Sequence, residues 1–378
     1  LPAPTTDPRA DADAPLYLGL ISGTSADGID AALVRFEPAP RVIAARTTSY
    51  PAALRERSLA LTGRDAAIPL DDYGHLDVEI GECFAAAALA LLDEAGVDPA
   101  AVAAIGSHGQ TVRHRPDGAH PFTLQIGDPS VIAERSGILT IADFRRSDVA
   151  AGGQGAPLLP ALHAAVFADA AIPRAVLNLG GIANLTILAP GHAVFGFDTG
   201  PANCLLDAWT QRHLGTPRDE GGAWARSGKV DAGLLARCLD EAYLAAAPPK
   251  STGREVFNLD WLEPRLRPDL AAADVQATLL AFSARSIADA LRAHGCGARE
   301  IYACGGGVHN AALMDALRIA LPATRIETTA ALGMDPDYVE AAGFAWLAKA
   351  RLEGRAGNLP SVTGARGPRL LGAIYPAP

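Results

Sequence analysis

Two apolar runs that each break at a glycine turn and then resume constrain this chain more than any other feature. Leu16 to Leu20 leads through SGTSADG (Ser22 to Gly28) into the alternating run Ile29 to Phe36; about 150 residues later AVLNL runs into GGIAN and then LTIL. Alternating apolar positions around glycine read as strand, turn, strand. The recurrence implies a duplicated architecture, each half opening with a sheet and a turn the size of a phosphate. Leu76 to Glu94 reads as a long Ala-rich helix, and Val102 to Ser107 and Thr123 to Ile126 as strands. Helices are expected over Ala202–Leu214, Val230–Ala246, Asp274–His294, Asn310–Leu321 and Pro336–Leu352, with a strand at Ile301–Cys304 entering the turn Gly305–Gly307. A boundary between lobes is expected near Ala142–Gly155, where charge mixes with flexible glycine.

Composition narrows the function classes. With 378 residues, 49% of them hydrophobic, the chain can bury a sizeable core and is too apolar to be disordered. Its 32 basic and 42 acidic side chains give a net charge of −10 with no basic cluster, which disfavours nucleic acid as a partner. The longest uncharged apolar run, Cys83 to Leu92, is too short for a bilayer, so no membrane anchor is expected. The first residues, LPAPTTDPRADADAPLY, lack the basic start and apolar stretch of a signal peptide and read as a disordered tail. Five widely spaced cysteines without a CxxC pair argue against a disulfide framework and a structural zinc site, so a cytoplasmic location is expected. The only lysines are Lys229, Lys250 and Lys349, and none stands in a Walker A loop or a protein-kinase pattern. If the chain handles ATP, glycine backbones and a carboxylate-held metal must do it.

Several segments could carry that chemistry, each beside a plainer reading. Backbone N–H groups of SGTSADGID can face phosphate oxygens while a nearby carboxylate holds hydrated Mg²⁺; the same letters also suit an ordinary hairpin turn. NLGGIAN and CGGG, after apolar strands, admit close approach of a ligand, or are packing glycines. Asp198 in FDTGPAN, at the end of an expected strand, can serve as a general base, or cap the helix that follows. Asp148 in FRRSD is a second carboxylate candidate or a loop ion pair. GSHGQT offers His, amide and hydroxyl groups for sugar hydroxyls, or is a strand-end turn. Glu340, in MDPDYVEA, is otherwise a helix-dipole partner.

In combination, GLISGTSADGID, GSHGQT, ADFRRSDVAAGGQGAPL, VLNLGGIAN, FDTGPANCLLD, KSTGREVFN, CGGGVHN and TGARGPRLLGAIYP resemble, in order, the anhydro-N-acetylmuramic acid kinase family of the sugar kinase, Hsp70 and actin superfamily. The resemblance runs from about Tyr17 to Pro376. It implies an α/β, two-lobed actin-like ATPase fold, a duplicated ribonuclease H-like architecture with an interlobe cleft. The expected parts are a tail at 1–15, one lobe of 16–142 plus 355–378, and a second of 143–354 that carries nucleotide contacts and the catalytic base. It further implies an ATP-dependent kinase that hydrolytically opens the 1,6-anhydro ring of anhydro-N-acetylmuramic acid and phosphorylates O6, giving N-acetylmuramic acid 6-phosphate and ADP in cell-wall recycling.

Carried over by position, the resemblance makes Asp198 the general base, with Glu340 sharing in water activation. Gly23, Thr24, Ser25, Ala26, Asp27, Gly28, Ile29 and Asp30 would bind ATP phosphates, Asp27 also meeting Mg²⁺ through water. Gly180, Gly181, Gly305, Gly306 and Gly307 would complete the nucleotide site; Gln110, Thr111 and Glu340 would line the sugar site, and Asp148 would position the loop or the substrate. A homodimer is expected on the same ground. Two rivals remain open at this level: a kinase for levoglucosan, and an ATP-binding switch without chemistry, since fold does not settle function.

Overall fold

The structure, a computed structural model, describes residues 14–23, 26–62 and 67–378. Thr24, Ser25 and nearly all of the expected 1–15 tail lie outside the described residues. Two compact units divide the chain, one comprising residues up to Leu162 together with Leu332–Pro378, the other His163–Ala331. The second is thus shorter than the 143–354 lobe expected from sequence.

The strands are numbered along the chain. In the first unit, β1 (Leu16–Ser22), β2 (Ile29–Arg35), β3 (Arg41–Thr48), β4 (Val102–Arg115), β6 (Thr140–Ala142) and the C-terminal β12 (Ala373–Tyr375) form a sheet in the order β12-β6-β4-β1-β2-β3, with β5 (Phe122–Ile126) paired to β4. β1, β2 and β3 are an antiparallel meander, while β4 runs parallel to β1 and β6 parallel to β4. In the second unit, β7 (Arg174–Leu179), β8 (Ile182–Leu188) and β9 (Phe195–Pro201) repeat the meander. There β10 (Glu300–Cys304) runs parallel to β7, and β11 (Arg325–Thr328) parallel to β10. Both sheets share one plan: three antiparallel strands, then two parallel strands laid on the far side of the first. The duplicated, two-lobed α/β architecture follows from that shared strand order.

Alternation along β1 and β4 decides what each face meets. Leu18 and Leu20, with Ile105 of β4, join Ile80, Phe84 and Leu91 of the Leu70–Ala95 helix in one core. Burying each such side chain contributes about 1.5–3 kcal/mol, which is why the long helix stays on this face. The opposite face takes the Val339–Leu352 helix, and here Gly19 and Gly106 are obligatory. A Cβ on Gly19 would stand 1.8 Å from the Ala341 carbonyl oxygen, and one on Gly106 2.0 Å from that of Phe344. The helix therefore sits directly on sheet backbone, and Glu340 in its first turn immediately precedes the Ala341 that packs on Gly19.

Two expectations are corrected. GSHGQT is not a turn at a strand end: residues 106–111 lie inside the 14-residue β4, whose second half is stabilised by antiparallel pairing with β5. The single helix expected over Val230–Ala246 is two, Ala232–Leu239 and Ala242–Ala245, because Asp231 caps the first and the extended Glu241 starts the second.

Candidate active site

The second unit builds its site around Asp198. This residue lies within β9 and is paired in register with Asn184 of β8. The following helix, Cys204–Leu214, has Asn203 at its N-cap, so Asp198 does not cap it. Its carboxylate is instead held by three donors. Asn184 Nδ2 donates to Oδ1 at 2.9 Å, while Ser251 Oγ at 2.9 Å and the Thr252 backbone N–H at 3.0 Å both donate to Oδ2. The backbone is fixed as well: Tyr243 Oη donates to the Asp198 carbonyl at 2.8 Å, and the Asp198 N–H donates to the Lys250 carbonyl at 3.2 Å. Donors on both oxygens hold the carboxylate in one orientation.

Beside it, Gly180 and Gly181 form the two-residue tip of the β7–β8 hairpin. Asn203 Nδ2 donates to the Gly180 carbonyl at 2.7 Å, and the Ala202 and Cys204 N–H groups donate to that of Gly181. Gly305, at φ +80°, carries the chain out of β10 against the end of β7; a Cβ there would stand 2.4 Å from Asn178 Oδ1. The Gly305–Gly307 turn and the Gly180–Gly181 tip are thus neighbours at the same end of the sheet, with Leu179 between them. Around an added Cβ on Gly306 no atom lies within 4 Å, which leaves its backbone open to a ligand. Arg254 approaches the hairpin closely enough that a Cβ on Gly181 would be 2.9 Å from its Nε. It also lines a cavity of about 330 Å³ with Cys204, Asp207 and Phe257. Burial lifts the Asp207 carboxyl to about 6, against the opposing charges of Arg254 and Arg218.

The first unit places its candidates around the β1–β2 loop and the start of the Val339–Leu352 helix. Gln110 is fully buried, and its amide donates to the Gly23 carbonyl at 3.1 Å. It supports the loop from beneath. Thr111 Oγ1 accepts from Gln125 Nε2 at 3.2 Å. Ala26 occupies the left-handed region at φ +49° with its side chain buried, and Ile29 lies in the core. Gly28 packs against Thr47. Asp27 pairs with Arg55 at 2.6 Å on the exposed side of the loop. Asp30 accepts from Thr47 Oγ1 at 2.6 Å, and burial raises its carboxyl above the usual range.

Of the two roles open to Asp148, positioning the loop or the substrate, its 0% exposure favours the loop. It accepts from the Gly155 N–H at 2.7 Å, Asn358 Nδ2 at 2.6 Å and Thr363 Oγ1 at 2.7 Å, tying the glycine-rich segment to the C-terminal one.

Sequence reading missed the charged neighbour of Glu340. Its protein-dense surroundings raise its carboxyl above the usual range although the side chain keeps solvent access, Arg145 opposes that rise, and Asp30 adds to it. Arg145 is itself held in place: Nε donates to His108 Nε2 at 2.9 Å and Nη1 to the Gly155 carbonyl at 2.8 Å. Because arginine can only donate, His108 Nε2 must be the acceptor, and its Nδ1–H donates to the Gly109 carbonyl at 2.9 Å. Burial and the Arg145 charge keep this imidazole neutral, with its pKa well below the ordinary value. The letters of GSHGQT and DFRRSD contain both partners; only the parallel pairing of β4 with β6 brings them together. Likewise Asn184, Ser251 and Thr252 stood in noted motifs, and strand register was the signal that would have joined Asn184 to Asp198.

Among the described residues no helix is long and apolar enough to cross a membrane, and no group of three or more His, Cys, Asp or Glu side chains is placed to hold a metal ion.

Comparison with known proteins gives the geometry a family. The chain is similar to an anhydro-N-acetylmuramic acid kinase of Xanthomonas axonopodis pv. citri, 56% identical over 97% of this chain and 99% of that one. It is also 50% identical to one from Coxiella burnetii, over 95% of this chain and 97% of that one. Among solved structures it is similar to the (R)-2-hydroxyglutaryl-CoA dehydratase component A of Acidaminococcus fermentans, at TM-score 0.48 and 12% identity, over 88% of this chain and 96% of that one. The family model for anhydro-N-acetylmuramic acid kinase matches residues 15–377, and with relatives this similar over nearly their whole length, the chain belongs to that family.

Proposed function

We propose that this chain transfers the γ-phosphoryl group of ATP to O6 of 1,6-anhydro-N-acetylmuramic acid while water opens the anhydro bridge. The observation that carries the reading is Asp198, an oriented carboxylate that three hydrogen-bond donors hold next to the glycine hairpin. Asp198 takes a proton from the water that attacks C1. The C1–O6 bond breaks, its electron pair stays on O6, and O6 attacks the γ-phosphorus as the bond to ADP breaks. A single base suffices, because the oxygen released by ring opening is the phosphoryl acceptor.

The remaining candidates take supporting roles. Backbone groups of Gly23–Asp30, Gly180, Gly181, Gly305 and Gly306 bind ATP, with Thr24 and Ser25 adding hydroxyls and Arg254 a positive charge beside Gly181. Glu340, whose ionised form the Arg145 charge favours, assists in orienting the water. Thr111 faces the sugar, while Gln110 acts through the loop it supports. Mg²⁺ entering with ATP supplies neutralisation of phosphate charge. It commonly keeps several waters and needs only one or two protein carboxylates, so the single carboxylate of Asp27 fits it through water, in competition with Arg55.

The test is ADP release with 1,6-anhydro-N-acetylmuramic acid, levoglucosan and N-acetylmuramic acid in parallel, followed by mass spectrometry of product formed in ¹⁸O-water. Turnover on the first alone, with ¹⁸O at C1 and phosphate on O6, is expected. Preference for levoglucosan overturns the substrate, and ADP release unaffected by any sugar overturns the kinase reading.

A further inference from the structure

The hydrogen bonds around Asp198 are unequal, and the inequality identifies the oxygen that works. A carboxylate offers about two lone-pair sites on each oxygen. Oδ2 has both filled, by Ser251 Oγ and the Thr252 N–H, whereas among the described residues Oδ1 accepts only from Asn184 Nδ2. We propose that Asp198 takes up its proton at Oδ1, and that Ser251 and Asn184 are positioning residues that direct it there.

This rests on the reading of Asp198 as the base. Neither partner can take the proton in its place, since an amide nitrogen is no base at neutral pH and the Ser251 hydroxyl is already donating. Ser251 fixes the carboxylate from a loop and Asn184 from the neighbouring strand, so together they set the rotation of the carboxylate plane about β9. The bond from Asn184 is a consequence of register: Asn184 stands opposite Asp198 across the β8–β9 ladder. The bond from Ser251 is not, and it depends on the Lys250 carbonyl pairing with the Asp198 N–H to bring the loop alongside the strand.

Ser251→Ala frees one site on Oδ2 and lets the carboxylate turn. The expected result is a fall in kcat of about tenfold, typical of losing a hydrogen bond to a charged group, with KM for ATP and sugar unchanged. Ser251→Thr, which keeps the hydroxyl, restores kcat. Asn184→Ala lowers kcat in the same way, and thermal melting shows whether the strand pairing has survived. Wild-type kcat in Ser251→Ala, or a Ser251→Thr enzyme as slow as Ser251→Ala, overturns the positioning role. An active Asp198→Asn enzyme overturns the base assignment itself; an inactive one beside an unimpaired Ser251→Ala leaves the base standing and removes only this inference.

Discussion

The two units share a strand order and use it to hold carboxylates by opposite means. In the second unit, Asp198 sits inside a strand and is fixed by neutral donors on an adjacent strand and a loop. In the first, Glu340 sits at a helix start where its dense surroundings raise its carboxyl, and the charge of the Arg145 guanidinium, which His108 and Gly155 hold in place, opposes that rise. The turns differ likewise. A two-residue glycine tip joins β7 to β8, whereas residues 23–28 separate β1 from β2, with Gly23 hydrogen-bonded to Gln110. A duplicated sheet thus sets where strand ends converge, and the segments inserted between strands decide what chemistry is placed there.

Changing the neutral-donor carboxylate should have the largest effect. Asp198→Asn removes the base while keeping the shape, and the expected loss of turnover is about 10³-fold with nucleotide affinity by calorimetry unchanged. Turnover within tenfold of wild type would show that the two carboxylates are not divided in this way. Next comes the seat of Glu340. Gly106→Ala drives a Cβ to 2.0 Å from the Phe344 carbonyl oxygen, which is backbone and cannot rotate aside. A destabilisation of about 3 kcal/mol is expected in denaturant unfolding, as for overpacking in a rigid core. Nucleotide affinity by calorimetry is the readout that shows whether the nucleotide site has survived.

Much of this comparison was legible in the letters. The strands of the hairpins around SGTSADG and GGIAN, the strand at Ile301–Cys304 and the long helix over Leu76–Glu94 all announce themselves by apolar period and glycine, and each falls on an observed element, Phe36 alone lying one residue beyond β2. β3 did not: RVIAARTT is half-exposed and carries two arginines, so it lacks the apolar contrast that marks a strand, and its pairing with β2 supplies what its sequence does not. Asp198 could be read as a candidate from its motif. Its three donors could not, because Ser251 and Thr252 are brought to it by a backbone pairing across about fifty residues of chain. Asp148 kept two readings open for a physical reason, since a carboxylate beside arginine and glycine looks the same in sequence whether it faces solvent or closes a buried knot.

Acid distinguishes the units less strongly, through one buried histidine in each. His163, in the second unit, is 4% exposed, and burial alone depresses its pKa to about 3. Unfolded, it titrates near 6.5, so between those values the unfolded chain holds the extra proton and stability falls as pH falls. The expected slope from this group approaches ~1.4 kcal/mol per pH unit. His163→Gln should flatten stability against pH between about 6.5 and 3, and an unchanged slope would show that His163 does not carry it.

The smallest effect expected is a displacement of a pH profile, and it bears on the first unit's device. Arg145 favours the ionised form of Glu340, whereas its dense surroundings and Asp30 oppose it. The guanidinium, lowered to about 10 by burial, is still charged at neutral pH, so its pull operates throughout the acid limb of the rate profile. In Arg145→Gln that pull is gone and the Glu340 pKa rises. If ionised Glu340 orients the water, the acid limb of kcat moves to higher pH while the plateau is kept. The same substitution relieves His108 of a neighbouring charge, raising its pKa too, but a histidine gaining a proton at falling pH leaves the limb in place unless it touches substrate. Glu340→Gln combined with Arg145→Gln separates the two: the displacement must vanish in the double variant if Glu340 is its source. A limb that still moves assigns it to His108, and would mean that the first unit holds its histidine, rather than its carboxylate, by charge.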